Sequence, residues 1–117
     1  MKETESGGLQ MTPQEMRKLA ARVTDILIER NTDLGNSNAW DGEFREVLEQ
    51  EFGGPPPEGE RTAEEVLEQV VRHVLPNAAR LDHPRFFGFI PSSPTWPGVL
   101  ADFLSAGFNI TSCTWRV

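Results

Sequence analysis

The chain has one cysteine, Cys113, so it holds no internal disulfide framework and is consistent with a reducing compartment. No stretch approaches the ~20 apolar residues that span a bilayer, which argues against a membrane partner. The opening residues, MKETESGGLQ, lack the apolar core of a secretory signal. The cytoplasm is the expected location. Positive charge is scarce, with 11 Lys and Arg against 18 Asp and Glu for a net charge of −7. Phosphate neutralisation needs clustered Lys and Arg, so a nucleic-acid partner is excluded as well. The two histidines, His73 and His83, and the one cysteine fall at no metal-ligand spacing. No G-x-S-x-G elbow surrounds Ser92, Ser93, Ser105 or Ser112, which sets serine hydrolysis aside.

What is present fits one small domain with a modest core: 117 residues, 38% of them hydrophobic. Ten glycines and nine prolines make it loop-rich without making it disordered. Residues 1–10 read as a flexible tail. Thr12, Pro13 and Glu15 then form an N-cap, a first helical position and a capping box. Met16, Leu19, Ala20, Val23, Ile26 and Leu27 follow as an apolar stripe at helical spacing, with Arg30 placed favourably near the end. Residues 31–39 form a polar loop in which nothing rises above turn chemistry. Asp41 is expected to cap a shorter second helix carrying Phe44, Val47, Leu48 and Phe52. That helix is stopped by Gly53-Gly54-Pro55-Pro56-Pro57.

Thr62 and Glu65 open a third helix with a second capping box, and Val66, Val70, His73 and Val74 recur on one face before Pro76. A fourth helix runs from Pro97 to about Gly107. It is apolar nearly all round, which predicts burial against a larger body. Between the third and fourth lies a loop rich in aromatics and proline. The expected class is therefore mostly α, with three to four helices plus this loop.

Few residues here carry chemistry on their own account. His73 reads as a helix-face residue; His83 reads as a turn hydrogen bond or as the edge of a site. Glu64, Glu65 and Glu68 read as a solvated face. Cys113 reads as a small buried apolar residue. In Phe87-Gly88-Phe89, extended alternation would send both aromatics to one side, with Gly88 allowing close backbone approach.

The run His83-Pro84, Phe86-Phe87-Gly88-Phe89, Pro91-Ser92, Pro97, Leu100-Ala101-Asp102 and Trp115 resembles the end of the N-terminal segment of group II pyridoxal-phosphate-dependent amino-acid decarboxylases. The match is close over the last third of the chain and extends to the helical part only in layout. The resemblance implies an α/β, fold-type I transferase-like complete enzyme that uses pyridoxal 5'-phosphate to release CO2 from an amino acid. Some relatives form aldehydes instead. Residues 11–80 would be a helical dimerisation segment wrapping a second copy of the same chain. Residues 81–117 would be a substrate-wall loop and an apolar helix leading into a cofactor domain absent from this chain.

By position, the resemblance makes Phe89, Ile90, Pro91 and Ser92 contacts to the amino-acid substrate, with the Ser92 hydroxyl near its carboxylate. Thr111 and Cys113 would reach across the dimer into the other subunit's pocket. Where this chain has Leu81, Thr111 and Cys113, relatives acting on aromatic amino acids have an aromatic or bulkier apolar residues. That departure leaves the particular amino acid open. No catalytic or cofactor-binding residue is expected here: the only lysines, Lys2 and Lys18, lie in no lysine motif of the family, so the 117 residues alone should be inactive. Truncation is the favoured explanation. The alternative reading is a small helical interaction module or an inactive remnant without cofactor.

Overall fold

The computed structural model describes residues 11–89 and 92–109. Four α-helices and no strand occur among them: α1 (Pro13–Asp33), α2 (Arg45–Phe52), α3 (Ala63–Gln69) and α4 (Trp96–Phe108). Both anticipated capping boxes are present. Thr12 accepts the Glu15 N–H at 3.3 Å while the Glu15 carboxylate takes the Thr12 N–H at 2.6 Å. Thr62 and Glu65 repeat the arrangement at 3.2 and 2.8 Å. Each box satisfies two backbone donors that the first turn of a helix leaves orphaned.

Three boundaries depart from expectation, the first being α1, which continues to Asp33, three residues into the expected 31–39 loop. Asp41 does not cap α2; its carboxylate accepts from Asn38 Nδ2 at 2.9 Å, and Phe44 takes the cap position with no side-chain bond. Phe44 therefore lies before the helix and is exposed rather than on its face. The third helix does not stop before Pro76. It continues as a π-helical turn (Val70–Val74) and a 3-10 turn (Leu75–Asn77). A proline ring collides with the carbonyl four residues earlier, here Arg72, and the Leu75 N–H bonds back to Val70, five residues away. The fourth helix matches expectation to within a residue: Thr95 caps α4, its hydroxyl accepting the Gly98 N–H at 3.3 Å, and Asn109 closes it with φ of 49°. Asn tolerates that left-handed conformation better than most residues.

Ion pairs flank the contact between α1 and α3, where Leu19 and Leu67 also line the same cleft. Lys18 and Arg22, one turn apart on α1, meet Glu64 and Glu68, one turn apart on α3, at 2.7 and 2.9 Å. Exposed pairs of this kind contribute little individually. No described apolar side chain is buried. The chain exposes 10739 Å², against about 6,400 Å² for a compact monomer of its mass. Its radius of gyration is 18.0 Å, where a compact chain of this length has about 13 Å. Among the described residues, no helix is long and apolar enough to cross a membrane.

Candidate functional site

Among the described residues the most specific geometry lies in the segment from Arg80 to Phe89, which carries the aromatic residues. Its base is tied to the turn after α1 by a set of polar bonds. The Arg80 N–H donates to the Ala39 carbonyl at 2.9 Å, and the Arg80 guanidinium donates to the Ser37 hydroxyl. Arg30, in the last turn of α1, grips Asp82 through two bonds of 2.8 and 2.5 Å. The Asp82 side chain is only 8% exposed. The Arg30 guanidinium holds its carboxyl below the ordinary aspartate range, against an opposing push from burial. Nearby, Asn77 bridges two elements, accepting the Glu43 N–H at 2.7 Å and donating to the His73 carbonyl at 2.7 Å.

His83 sits at the centre of this set and is 3% exposed. Its Nδ1 accepts the Arg85 backbone N–H at 3.0 Å, and its Nε2 faces the Ser37 carbonyl at 2.9 Å. An acceptor at Nδ1 and a carbonyl opposite Nε2 together require the neutral ring with its proton on Nε2. The same Ser37 carbonyl also receives Arg85 Nη2 at 3.2 Å. The turn hydrogen bond expected of His83 is thus present, with a second bond across 46 residues.

Beyond this anchor the chain turns, with Phe86 N–H donating to the His83 carbonyl at 2.9 Å. The aromatics are not arranged as alternation in an extended strand would place them. Phe86 and Phe89 form the pair, ring centroids 6.2 Å apart at 28°, while Phe87 points away and is 91% exposed. Gly88 permits this because the Phe86 ring lies over it: an added Cβ would come within 3.1 Å of Phe86 Cζ. Phe89 has φ of 60°, a left-handed conformation unusual for an aromatic residue.

Of the residues anticipated as substrate contacts, Phe89 and Ser92 are both exposed on this loop. Ile90, Pro91, Thr111 and Cys113 lie outside the described residues. His73 carries no cluster around it, only Glu51 at 3.4 Å. Glu64 and Glu68 are the α3 side of the ion pairs with α1, and the Arg22 guanidinium holds Glu68 below the usual carboxylate range. The residues missed from sequence are Ser37, Arg80, Asp82 and Arg85. The 31–39 loop, read as plain turn chemistry, supplies the carbonyl on which two of the donors converge.

A pyridoxal-phosphate site does not fit the described residues. Such a site needs a lysine held in a pocket for the Schiff base. Lys18, the one described lysine, has a side chain 71% exposed and is paired with Glu64. No group of three or more His, Cys, Asp or Glu that could hold a metal occurs among the described residues.

At the level of whole sequences the chain is similar to decarboxylases. It is 30% identical over 110 residues to an aromatic-L-amino-acid decarboxylase of Bacillus atrophaeus, which covers 94% of this chain and 23% of that protein. It is 28% identical over 111 residues to tyrosine decarboxylase 4 of Petroselinum crispum, covering 92% of this chain and 21% of the relative. Tyrosine decarboxylase 2 of Narcissus pseudonarcissus is 25% identical over 109 residues, 90% of this chain and 21% of its own length. The chain therefore spans about a fifth of the length of the curated relatives it matches. No protein-family model matches it. The likeness runs through the helical part as well as the aromatic loop, and it agrees with an N-terminal segment of the group II decarboxylases.

Proposed function

We propose that this chain is the N-terminal portion of a pyridoxal-phosphate-dependent amino-acid decarboxylase, with residues 11–80 serving a homodimer interface and residues 81–117 a wall of the substrate pocket. The observation that carries the reading is similarity to aromatic-amino-acid and tyrosine decarboxylases over nine-tenths of the chain. The names of those relatives make an aromatic L-amino acid the first substrate to try. The cofactor would be held by parts of the enzyme other than these residues, since Lys18 is spent on an exposed ion pair.

On this reading the chain's own contribution is shape and placement. Phe89 would offer an apolar face to the substrate side chain, and the Ser92 hydroxyl would bond its carboxylate. The apolar α4, with Phe103 and Phe108 at 67% and 77% exposure, would find its cover in the rest of the enzyme. A self-sufficient helical interaction module predicts a satisfied core instead, and no described apolar residue is buried.

The test begins with the protein purified from its source, its intact mass measured, and CO2 release assayed with aromatic L-amino acids. A species several-fold heavier than 13.1 kDa that releases CO2 supports the reading. An intact mass of 13.1 kDa without activity refutes it. In the active protein Ser92→Ala is expected to raise KM about tenfold or more with cofactor binding unchanged, because a lost hydrogen bond to a charged group is worth about 1.5–3 kcal/mol. Unaltered kinetics would remove Ser92 from the pocket.

A further inference from the structure

We infer that His83 is a positioning residue, a two-sided latch that fixes where the aromatic loop presents Phe89. It is the only buried residue among those described, where no apolar side chain is buried beside it. Both ring nitrogens are used, and they point to different parts of the chain. Nε2 holds the Ser37 carbonyl in the turn after α1, and Nδ1 holds the N–H of Arg85, two residues on. The second bond is the imidazole counterpart of an Asx-turn, in which a side-chain acceptor closes a turn on the backbone two residues later.

Placement passes from His83 to Phe89 through three contacts: a backbone hydrogen bond, a close approach at Gly88 and a ring pair. The His83 carbonyl accepts the Phe86 N–H at 2.9 Å, which directs the Phe86 ring across Gly88 and onto the Phe89 ring. Phe89 then sits in a left-handed conformation, 86% exposed, with its ring against that of Phe86. The latch works only as the neutral ring, because an imidazolium has no acceptor to offer Arg85. Charged groups around it are Arg80 and Arg85 on its own segment, Asp82 beside it, and Arg30 of α1 through Asp82.

The kinetic consequence rests on the decarboxylase reading, whereas the latch itself is read without substrate. Hydrogen exchange at the Arg85 and Phe86 amides is measured in the full-length protein in its native assembly, with His83→Ala, His83→Asn and His83→Gln beside it. Asn places an acceptor near Nδ1, and Gln places a donor near Nε2. Exchange at Arg85 is expected to quicken about tenfold in His83→Ala and His83→Gln, the net worth of one hydrogen bond, and to stay near the parent rate in His83→Asn. KM for the amino acid should rise several-fold in the first two, with kcat held, and less in His83→Asn, which keeps the Arg85 side of the latch and loses the Ser37 side. Equal exchange in parent and Ala, restoration by Gln but not Asn, or an unchanged KM in His83→Ala each overturns the proposal. A parent protein that releases no CO2 counts against the proposed activity and leaves the exchange result to decide on His83.

Discussion

Arg30 and Asp82 are 52 residues apart in sequence and meet through two parallel bonds with the carboxylate almost out of solvent. The fork of a guanidinium matches a carboxylate in plane, so both bonds form at once. Because Asp82 is held below its ordinary pKa in the folded state, the stability it contributes is present in full above the usual aspartate value, near pH 4, and is lost as pH falls further through the depressed one. Arg30 stays charged throughout, so the loss belongs to Asp82. Asp82→Asn is expected to cost about 1–2 kcal/mol at pH 7 and to flatten the decline in acid. Urea midpoints of the assembled protein from pH 7 to pH 3 measure both. A variant as acid-sensitive as the parent would clear Asp82 of the effect. None of this was legible in the sequence. Ser37, Arg80, Asp82 and Arg85 have the ordinary polar look of loops, and their partners lie more than 40 residues away, a distance over which periodicity carries no information.

At the scale of elements, legibility was high wherever the determinants are local. Thr12 with Glu15 and Thr62 with Glu65 are complete instructions within four residues, and both helices begin where those instructions say. The start of α2 was misread because Asp41 is drawn off by Asn38, a competition between two short polar side chains that spacing cannot rank. Pro97 marks the first turn of α4, and Thr95 adds the cap two residues earlier. The two boxes invite a direct comparison. Thr12→Ala and Thr62→Ala should each cost about 1 kcal/mol of local helix stability. The effect of Thr62 should spread further along its helix, because α3 has only seven residues of α geometry to hold. Residue-resolved amide exchange in the two helices tests this, and equal, short-ranged losses would contradict it.

For the whole molecule the governing fact is surface. Burial of apolar surface is the main driving force for independent folding, and the described residues bury no apolar side chain. Phe44, Phe87, Phe89 and Phe108 are all more than three-quarters exposed, a load of aromatic surface that isolated monomers seldom carry. The 117-residue chain by itself is therefore expected to lose helicity gradually in urea, with an m-value well below the 1–3 kcal/mol/M that is roughly typical of small domains. It should bind a dye that reports apolar surface. A sharp, cooperative transition by circular dichroism would show a core that the described residues lack.

The π-helical turn at Val70–Val74 has a consequence for how this chain tolerates change in length. A π turn holds one residue more than an α turn spanning the same rise, so the segment stores a spare residue within a continuous helix. Removing Val71 should let the turn relax to ordinary α geometry while Asn77 still reaches the Glu43 N–H. Removing a residue from the middle of α1, Thr24 for instance, should instead rotate everything after it by about 100° and carry Arg30 away from Asp82. The first deletion should leave exchange at the Glu43 amide close to the parent's, and the second should abolish the grip on Asp82. Helix α3 therefore has slack in its length where α1 has none.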